Sequence, residues 1–169
     1  MADRQLSSDC TGAALIDDPS DPTDTSQCLP PDSANRASSY IFNSFAVGSN
    51  RNNSMGDAIP ELRCGGSLNP VTQPWAEGIE NMQFQYGVDS DADGAVDNYW
   101  NATTVEINGA WDDIISVRVG LLVRSVNPVF ERIVEESFQV LDELVTTSDR
   151  YRRNVYTTTI RLKNVARRI

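Results

Sequence analysis

The stretch ISVRVGLLVRSV, residues 115–126, places an apolar side chain at every second position. The apolar row comprises Val117, Val119, Leu121 and Val123. Arg118 and Arg124 occupy alternate positions, so they would point to the opposite side of an extended chain. A period of two predicts a β-strand, because successive side chains of a strand point to opposite faces of its sheet.

Four further segments have the β-branched, aromatic or alternating character of strands. They are residues 38–48, 59–64, 81–88 and 154–164. Short strands linked by turns predict an antiparallel sheet, and 50–57 is predicted to be a turn or mobile loop. With 169 residues the chain has the length of one domain. We therefore predict a single domain over 1–169, made of a loop-rich part (1–36) and a β-rich core (37–164).

Residues 128–146 fit two secondary structures. An apolar side chain recurs at helical spacing, at Phe130, Val134, Phe138, Leu141 and Val145. The segment SFQVL, taken alone, could form a strand. The periodicity favours a helix.

Composition excludes several classes of function. The net charge of −10 argues against nucleic-acid binding, because the chain lacks a cationic surface that could displace phosphate counterions. The absence of histidine excludes His-dependent triads and Cys/His zinc sites. The sequence has no apolar run of about 18 residues that could span a membrane. An acid-pair hydrolase could use Asp112 and Asp113, but no nucleophile or base accompanies them in a known motif, so we predict that the chain is not an enzyme.

The segment DSDADGAVDNYW carries aspartates at alternate positions around a glycine. The first, third, fifth, sixth, seventh and ninth positions of an EF-hand-type calcium loop match Asp89, Asp91, Asp93, Gly94, Ala95 and Asp97. Trp100 stands at the twelfth position, where that loop has a bidentate glutamate. The segment lies between two predicted strands rather than two helices. We predict a calcium site whose ligands are Asp89, Asp91, Asp93, the Ala95 carbonyl and Asp97; the alternative is an acidic turn without an ion.

The three cysteines, Cys10, Cys28 and Cys64, lie in surroundings rich in glycine, proline and aspartate. This pattern is typical of a disulfide formed in an oxidising compartment. Cys10 and Cys28 bracket the Pro/Asp-rich segment, so these two could pair. The odd number leaves one thiol free or paired outside the chain.

Five blocks in order resemble a known family. They are DCTG (9–12), LRCGG (62–66), WAEGIENMQFQYGVDSDADGAVDNY (75–99), ISVRVGLLVRS (115–125) and DRYRRNVYTTTIRLKN (149–164). Together they resemble the C-terminal, soluble part of PilW-type minor pilins of type IV pili. The resemblance is strongest over about residues 60–164.

The resemblance implies an α+β, pilin-like fold, in which an antiparallel sheet packs on a long N-terminal helix that is absent from this chain. It implies a non-catalytic minor pilin of the pilus initiation and tip complex, whose partners are other minor pilins and pilus assembly proteins. The full-length protein would reside in the inner membrane and periplasm and then on the surface pilus. The resemblance also makes Cys10–Cys64 the expected disulfide.

Two alternative functions and two structural expectations also follow from the sequence. A pseudopilin of type II secretion would share the fold, and a calcium-dependent extracellular adhesive or binding module would share the acidic loop. Without its helix, the sheet is expected to leave an apolar face uncovered. The basic segment RYRRN (150–154) is expected to be a solvated strand entry or a partner contact, with Arg152 and Arg153 on the surface.

Overall fold

The structure is a computed structural model that describes residues 42–66 and 71–163. Its strands are β1 (Asn43–Asn52), β2 (Ala58–Gly66), β3 (Gln73–Glu77), β4 (Ile79–Val88), β5 (Asn98–Trp100), β6 (Ile114–Arg124), β7 (Val134–Val140), β8 (Glu143–Asp149) and β9 (Arg153–Arg161). Helix α1 (Ala102–Asn108) and a single 3₁₀ turn (Trp111–Asp113) lie between β5 and β6. Within the described residues the fold is therefore β-rich with one short α-helix.

The strands form three sheets. Their orders are β1-β2-β3, β5-β4-β6-β9 and β7-β8. In the four-stranded sheet all three pairings are antiparallel, with Phe84 of β4 and Thr158 of β9 on either side of Val119 in β6. The predicted antiparallel, β-rich architecture is confirmed, whereas the pilin-like packing on a long helix stays a prediction.

The chain divides into two compact units. Described residues 42–46, 62–66 and 71–76 belong to the first, and 47–61 and 77–163 to the second. In the first unit the rings of Phe45 and Trp75 meet edge to face at 5.2 Å. The four-stranded sheet, the β7–β8 hairpin and the acidic loop all belong to the second. The prediction of one domain over 1–169 stays a prediction, and its loop-rich part, 1–36, lies outside the described residues.

Four predicted strands, 59–64, 81–88, 115–126 and 154–164, correspond to β2, β4, β6 and β9. The strand predicted at 38–48 is present from Asn43, and residues 38–41 lie outside the described part. The strand continues to Asn52, through the first residues of the turn or loop predicted at 50–57. The connection to β2 is therefore only 53–57. Strand β3 and helix α1, which are five and seven residues long, were not predicted from the sequence.

The helix favoured over 128–146 is wrong. From Val134 onward the segment belongs to the β7–β8 hairpin, which runs on to Asp149 and in which Phe138 pairs with Val145. Leu141 and Asp142 form the turn, and Leu141 has a left-handed backbone with φ of 54°. Residues four apart share a face in a helix and also in a strand, so the spacing of Val134 and Phe138 suits both. The two-residue turn then moves the apolar residues from even-numbered to odd-numbered positions, at Leu141 and Val145. The combined spacing of three and four residues resembles that of a helix.

The apolar row by which β6 was predicted from the sequence does not lie on the buried side of the strand. Val117, Val119, Leu121 and Val123 are half-buried, whereas Ser116, Gly120 and Leu122 on the other side are buried. The β7–β8 hairpin covers that second side. A Cβ atom on Gly120 would lie 2.7 Å from Cγ of Leu141, so the glycine provides the space in which the hairpin turn packs.

The opposite side of the sheet, which we call the apolar face, is lined by Met82 and Phe84 of β4, the apolar row of β6, and Tyr156 and Ile160 of β9. Helix α1 packs at one end of it, where Val88, Val105, Ala110 and Ile114 form a buried cluster. Elsewhere the face is only partly covered: Phe84 is 38 % exposed, Tyr156 57 % and Ile160 53 %.

Local signals explain why α1 is so short. The Asn101 side chain accepts a hydrogen bond from the backbone N–H of Thr104 (2.9 Å) and caps the start of the helix. Gly109 ends the helix seven residues later in the left-handed conformation, with φ of 62°. The helix thus contributes one fully buried side chain, Val105, to the end of the sheet.

Candidate functional site: the acidic loop

The acidic loop, residues 89–97, connects β4 to β5. At its base Val88 pairs with Asn98, and the Asp97 N–H donates to the Val88 carbonyl (2.9 Å). The Asp89 N–H donates to the Asp113 carbonyl (2.9 Å), which fixes the loop to the 3₁₀ turn before β6. The position predicted for the loop, between two strands, is confirmed. Asp112 and Asp113, the pair considered for hydrolysis, lie on that 3₁₀ turn.

The loop is folded by its own carboxylates. Asp89, only 7 % exposed, accepts the N–H groups of Asp93 (3.1 Å) and Gly94 (2.8 Å). Asp93 accepts the Ala95 N–H (2.7 Å). Ala92 and Gly94 take left-handed backbone conformations, with φ of 62° and 89°. Such a conformation carries little strain at glycine, which explains why Gly94 stands where the chain turns most sharply.

Three of the four predicted carboxylate ligands converge. Ligand oxygens of Asp89, Asp91 and Asp97 all lie within 4.8 Å of one another. Asp93 does not belong to this group, because its carboxylate is turned toward the Ala95 N–H. Carboxylate oxygens are the ligands that Ca²⁺ prefers, so the three converging groups fit the hard cation predicted from the sequence.

The charge on the loop is maintained by hydrogen bonds. Ser90 donates to the Asp97 carboxylate through its hydroxyl (2.5 Å) and through its backbone N–H (2.8 Å). These bonds hold the pKa of Asp97 below its usual value, the hydroxyl contributing most. Asp97 is therefore a carboxylate at neutral pH, as a ligand for a divalent cation must be.

An arginine from β9 also reaches the loop. Nη2 of Arg161 donates to the Gly94 carbonyl (3.0 Å). Nearby, the Arg118 guanidinium lies 3.5 Å from the centre of the Tyr99 ring. The hydrogen bond between Tyr99 and Ser116 (3.4 Å), and then the charge of Arg118, lower the pKa of the Tyr99 phenol.

These basic contacts were not predicted from the sequence, although the alternation of side chains along the strands carries a signal for them. Ser116 pairs with Arg161 across β6 and β9, and Arg118 follows Ser116 by two residues. Both arginines therefore lie on the same side of the sheet and near the same end.

A second polar cluster lies at the start of β9. Arg153, 6 % exposed, forms hydrogen bonds of 2.5 and 3.0 Å with Glu80 and of 2.7 and 2.6 Å with Asp149. The bond to Asp149 contributes most to raising the pKa of Arg153, and it holds the pKa of Asp149 low. The expectation of a surface Arg153 is therefore wrong, while Arg152 is exposed as expected.

Tyr151 joins this cluster to the β1–β2 connection. Its hydroxyl accepts a hydrogen bond from Asn53 (3.1 Å) and donates one to Asp57 (2.5 Å). The guanidinium of Arg124 lies 3.9 Å from the centre of its ring. Burial, followed by the hydrogen bond to Asp57, raises the pKa of Tyr151. These contacts order a short loop and suggest a structural role.

Cys64 lies in β2 and is completely buried. Cys10 and Cys28 lie outside the described residues. The choice between Cys10–Cys64 and Cys10–Cys28 therefore stays a prediction.

These observations define a β-rich domain with a half-exposed apolar face and an acidic loop at one end of its four-stranded sheet. The family model for type IV pilus-assembly protein W (PilW) matches residues 44–164, and the chain belongs to this family. A search of curated proteins found no match, and neither did a search of solved structures. Over 42–66 and 71–163, no helix combines the length and apolar character needed to cross a membrane.

Proposed function

We propose that this protein is a minor pilin, a non-catalytic structural component of the complex that initiates type IV pili and sits at their tip. The family match supports a role in pilus assembly. Other minor pilins and pilus assembly proteins are its proposed partners. The proposed location is the inner membrane and periplasm before assembly and the surface pilus afterwards.

The apolar face is the observation that carries the pilin assignment. It spans three strands, yet Tyr156 and Ile160 remain more than half exposed. Contiguous apolar surface of this kind marks a binding surface. A long amphipathic or apolar helix suits it, because it could lie across β4, β6 and β9 and bury the whole row.

A paired substitution tests this packing. Val119→Ser and Leu121→Ser together are expected to leave this chain folded, since both positions are half-buried. In a version of the protein that carries the proposed long helix, they should lower the melting temperature and speed proteolysis. Thr158→Ser, on the same face, is the matched control. Equal effects with and without the helix would contradict the proposed packing.

The role in pilus assembly is tested in cells. Deleting the gene should reduce surface pili, and the full-length protein should recover the pilins of its own operon in a pull-down. Loss of protein secretion with normal pili would instead assign the chain to the pseudopilins of type II secretion. A membrane-anchored, folded protein that recovers no pilin would contradict both.

We also propose that the acidic loop binds calcium, as a stabilising ion rather than a reactive one. The converging oxygens of Asp89, Asp91 and Asp97 support the proposal. The Ala95 carbonyl, Asp93 after a rotation of its side chain, and water would complete the shell. A calcium-dependent adhesive module is the alternative function that this loop favours, and normal piliation after gene deletion would point to it.

A disulfide from Cys64 is proposed as well, with Cys10 as the preferred partner. The complete burial of Cys64 supports a structural role for its sulfur. Non-reduced peptide mapping of protein expressed in the periplasm should identify the pair. Recovery of three free thiols would contradict the proposal.

A further inference from the structure

Strand β9 is a long and regular edge of the four-stranded sheet. Among the residues that the structure describes, it pairs with β6 alone, and its nine residues align with nine consecutive residues of β6 without a register shift. The pairing between β4 and β6, by contrast, contains two shifts. The opposite edge strand, β5, has three residues and is followed at once by α1.

Natural proteins protect such an edge with a proline, a lysine, a bulge or an inward-pointing charge. Between Asn154 and Ile160 the strand has no proline, no charged residue and no bulge. Asn154, Tyr156 and the four residues that follow are all exposed. The centre of β9 therefore has the properties of a strand that accepts another strand.

The alternating pattern of backbone hydrogen bonds between β6 and β9 shows which N–H and C=O groups of β9 point away from β6. The Leu162 N–H donates to the Ile115 carbonyl (2.9 Å), so Leu162 points its N–H and C=O toward β6. These directions alternate along a strand, and Ile160, Tyr156 and Asn154 point the same way as Leu162. The groups of Val155, Thr157 and Thr159 then point outward and offer three donors and three acceptors.

The positive charges at the ends of β9 restrict which strands can pair with it. Arg152, Arg161 and Lys163 are exposed at the two ends of β9, and no acidic residue lies within the strand. Two copies of β9 paired antiparallel about Thr157 would bring exposed Arg152 of one copy between Arg161 and Lys163 of the other, and like charges so close together destabilise a strand pair. A segment with acidic ends would meet these cations favourably.

We propose that β9 accepts an additional β-strand from a partner pilus protein, an extended segment with alternating apolar residues and acidic ends. Main-chain hydrogen bonds to Val155, Thr157 and Thr159 supply affinity, as in other cases of strand addition. Its apolar residues continue the row of Tyr156 and Ile160. The proposal rests on the proposed role in pilus assembly, because it names the surface used there.

A single substitution at Thr157 distinguishes the contribution of its backbone N–H to strand binding from that of its side chain. Thr157→Pro removes one outward N–H and leaves the ladder to β6 intact, since proline is tolerated on an edge strand where its nitrogen faces solvent. Thr157→Ala keeps the N–H and is the matched control. Melting curves and circular dichroism of both variants should match those of the unaltered chain.

The probe is a synthetic peptide in which valine and threonine alternate between aspartate and glutamate ends. We expect it to slow amide hydrogen exchange at Val155, Thr157 and Thr159, the outward groups. Thr157→Pro should weaken binding about tenfold or more, because a peptide carbonyl loses its donor, whereas Thr157→Ala should not. The same peptide with lysine ends should bind more weakly than the acidic one.

Equal binding to the Thr157→Pro and Thr157→Ala variants, with both folded, would overturn the proposal. Dimerisation of the chain that Thr157→Pro abolishes would also overturn it, because a second copy would then occupy the edge. Expressing full-length Thr157→Pro protein in the deletion strain distinguishes a failure of the edge-strand proposal from a failure of the proposed role in pilus assembly. If deletion abolishes pili and the variant restores them fully, the edge proposal fails while pilus assembly stands.

Discussion

Leu141, at the tip of the β7–β8 hairpin, packs against Gly120 at the centre of β6, where an added Cβ would approach Cγ of Leu141 to 2.7 Å. This contact lies in the middle of the buried side of the sheet. Around it, Glu143 forms hydrogen bonds with Asn81 and Gln83, and Asp142 accepts one from Asn101 (3.0 Å). The hairpin is thereby fixed over β6 by one close apolar contact and several polar ones.

Gly120→Ala is expected to destabilise the protein by about 1–3 kcal/mol, because the added methyl group has no space beneath Leu141. The measurement is urea denaturation. In the double variant with Leu141→Ala the closest of the added contacts is removed and only the one to Val140 Cγ1 (3.2 Å) remains, so the two effects should be non-additive. Additive effects would mean that the hairpin turn does not rest on Gly120.

Neighbouring leucines of β6 should respond very differently to truncation. Leu122 is fully buried beneath the hairpin side, so Leu122→Ala should cost about 2–5 kcal/mol. Leu121, on the half-buried apolar face, should lose less than half as much. Thermal and chemical denaturation of the two variants would show which side of the sheet forms the core, and a larger loss at Leu121 would contradict the fold.

Arg153→Ala should destabilise the protein by about 2–4 kcal/mol, because it leaves Glu80 and Asp149 without their cation in a partly buried cluster. Arg152→Ala, one residue earlier and exposed, should change stability by less than about 0.5 kcal/mol. Equilibrium denaturation of both variants provides the comparison. Similar values would contradict the buried position of Arg153.

The Asp149–Arg153 pair should also give stability a pH dependence. The hydrogen bond from Arg153 lowers the folded-state pKa of Asp149, so its contribution is present above the unfolded pKa of about 3.9. That contribution is lost as the pH falls through the lower folded pKa. The free energy of unfolding, measured downward from about pH 6, should therefore fall less steeply in the Arg153→Ala variant. An unchanged acid slope would exclude this linkage.

Calcium should raise the melting temperature by a few degrees. At tenfold excess over Kd the stabilisation is about 1.4 kcal/mol, and the missing glutamate at the twelfth loop position places Kd toward ~10⁻⁴ M. The measurement compares melts in EGTA and in millimolar calcium, and magnesium should substitute poorly because it demands a tighter octahedral shell.

Aspartate variants make the calcium measurement specific. Asp91→Ala should abolish the shift, because it removes one of the three converging carboxylates. Asp93→Ala should reduce it less, since that side chain lies outside the converging group, and Asp113→Ala should leave it intact. Identical melts with and without calcium, together with no heat on titration, would show that the loop is only an acidic turn.

Short-range sequence patterns located strands β2, β4, β6 and β9 and the position of the acidic loop. The alternation in 115–126 defines β6 because a period of two is a property of the extended backbone itself. The aspartate spacing likewise located the connection between β4 and β5. Both patterns involve residues only a few positions apart, so they can be recognised without knowledge of the rest of the molecule.

Tertiary structure alone decided which side of that strand is buried. The apolar row of Val119 and Leu121 suggests a core, yet the hairpin containing Leu141 covers the opposite side at Gly120. That cover comes from a segment whose own spacing favours a helix although it forms a hairpin, so local pattern could not place it. Arg153 is buried for a related reason: Glu80, one of its partners, lies on β4, far away in the chain. Periodicity records which side chains share a face, and only long-range packing decides what that face meets.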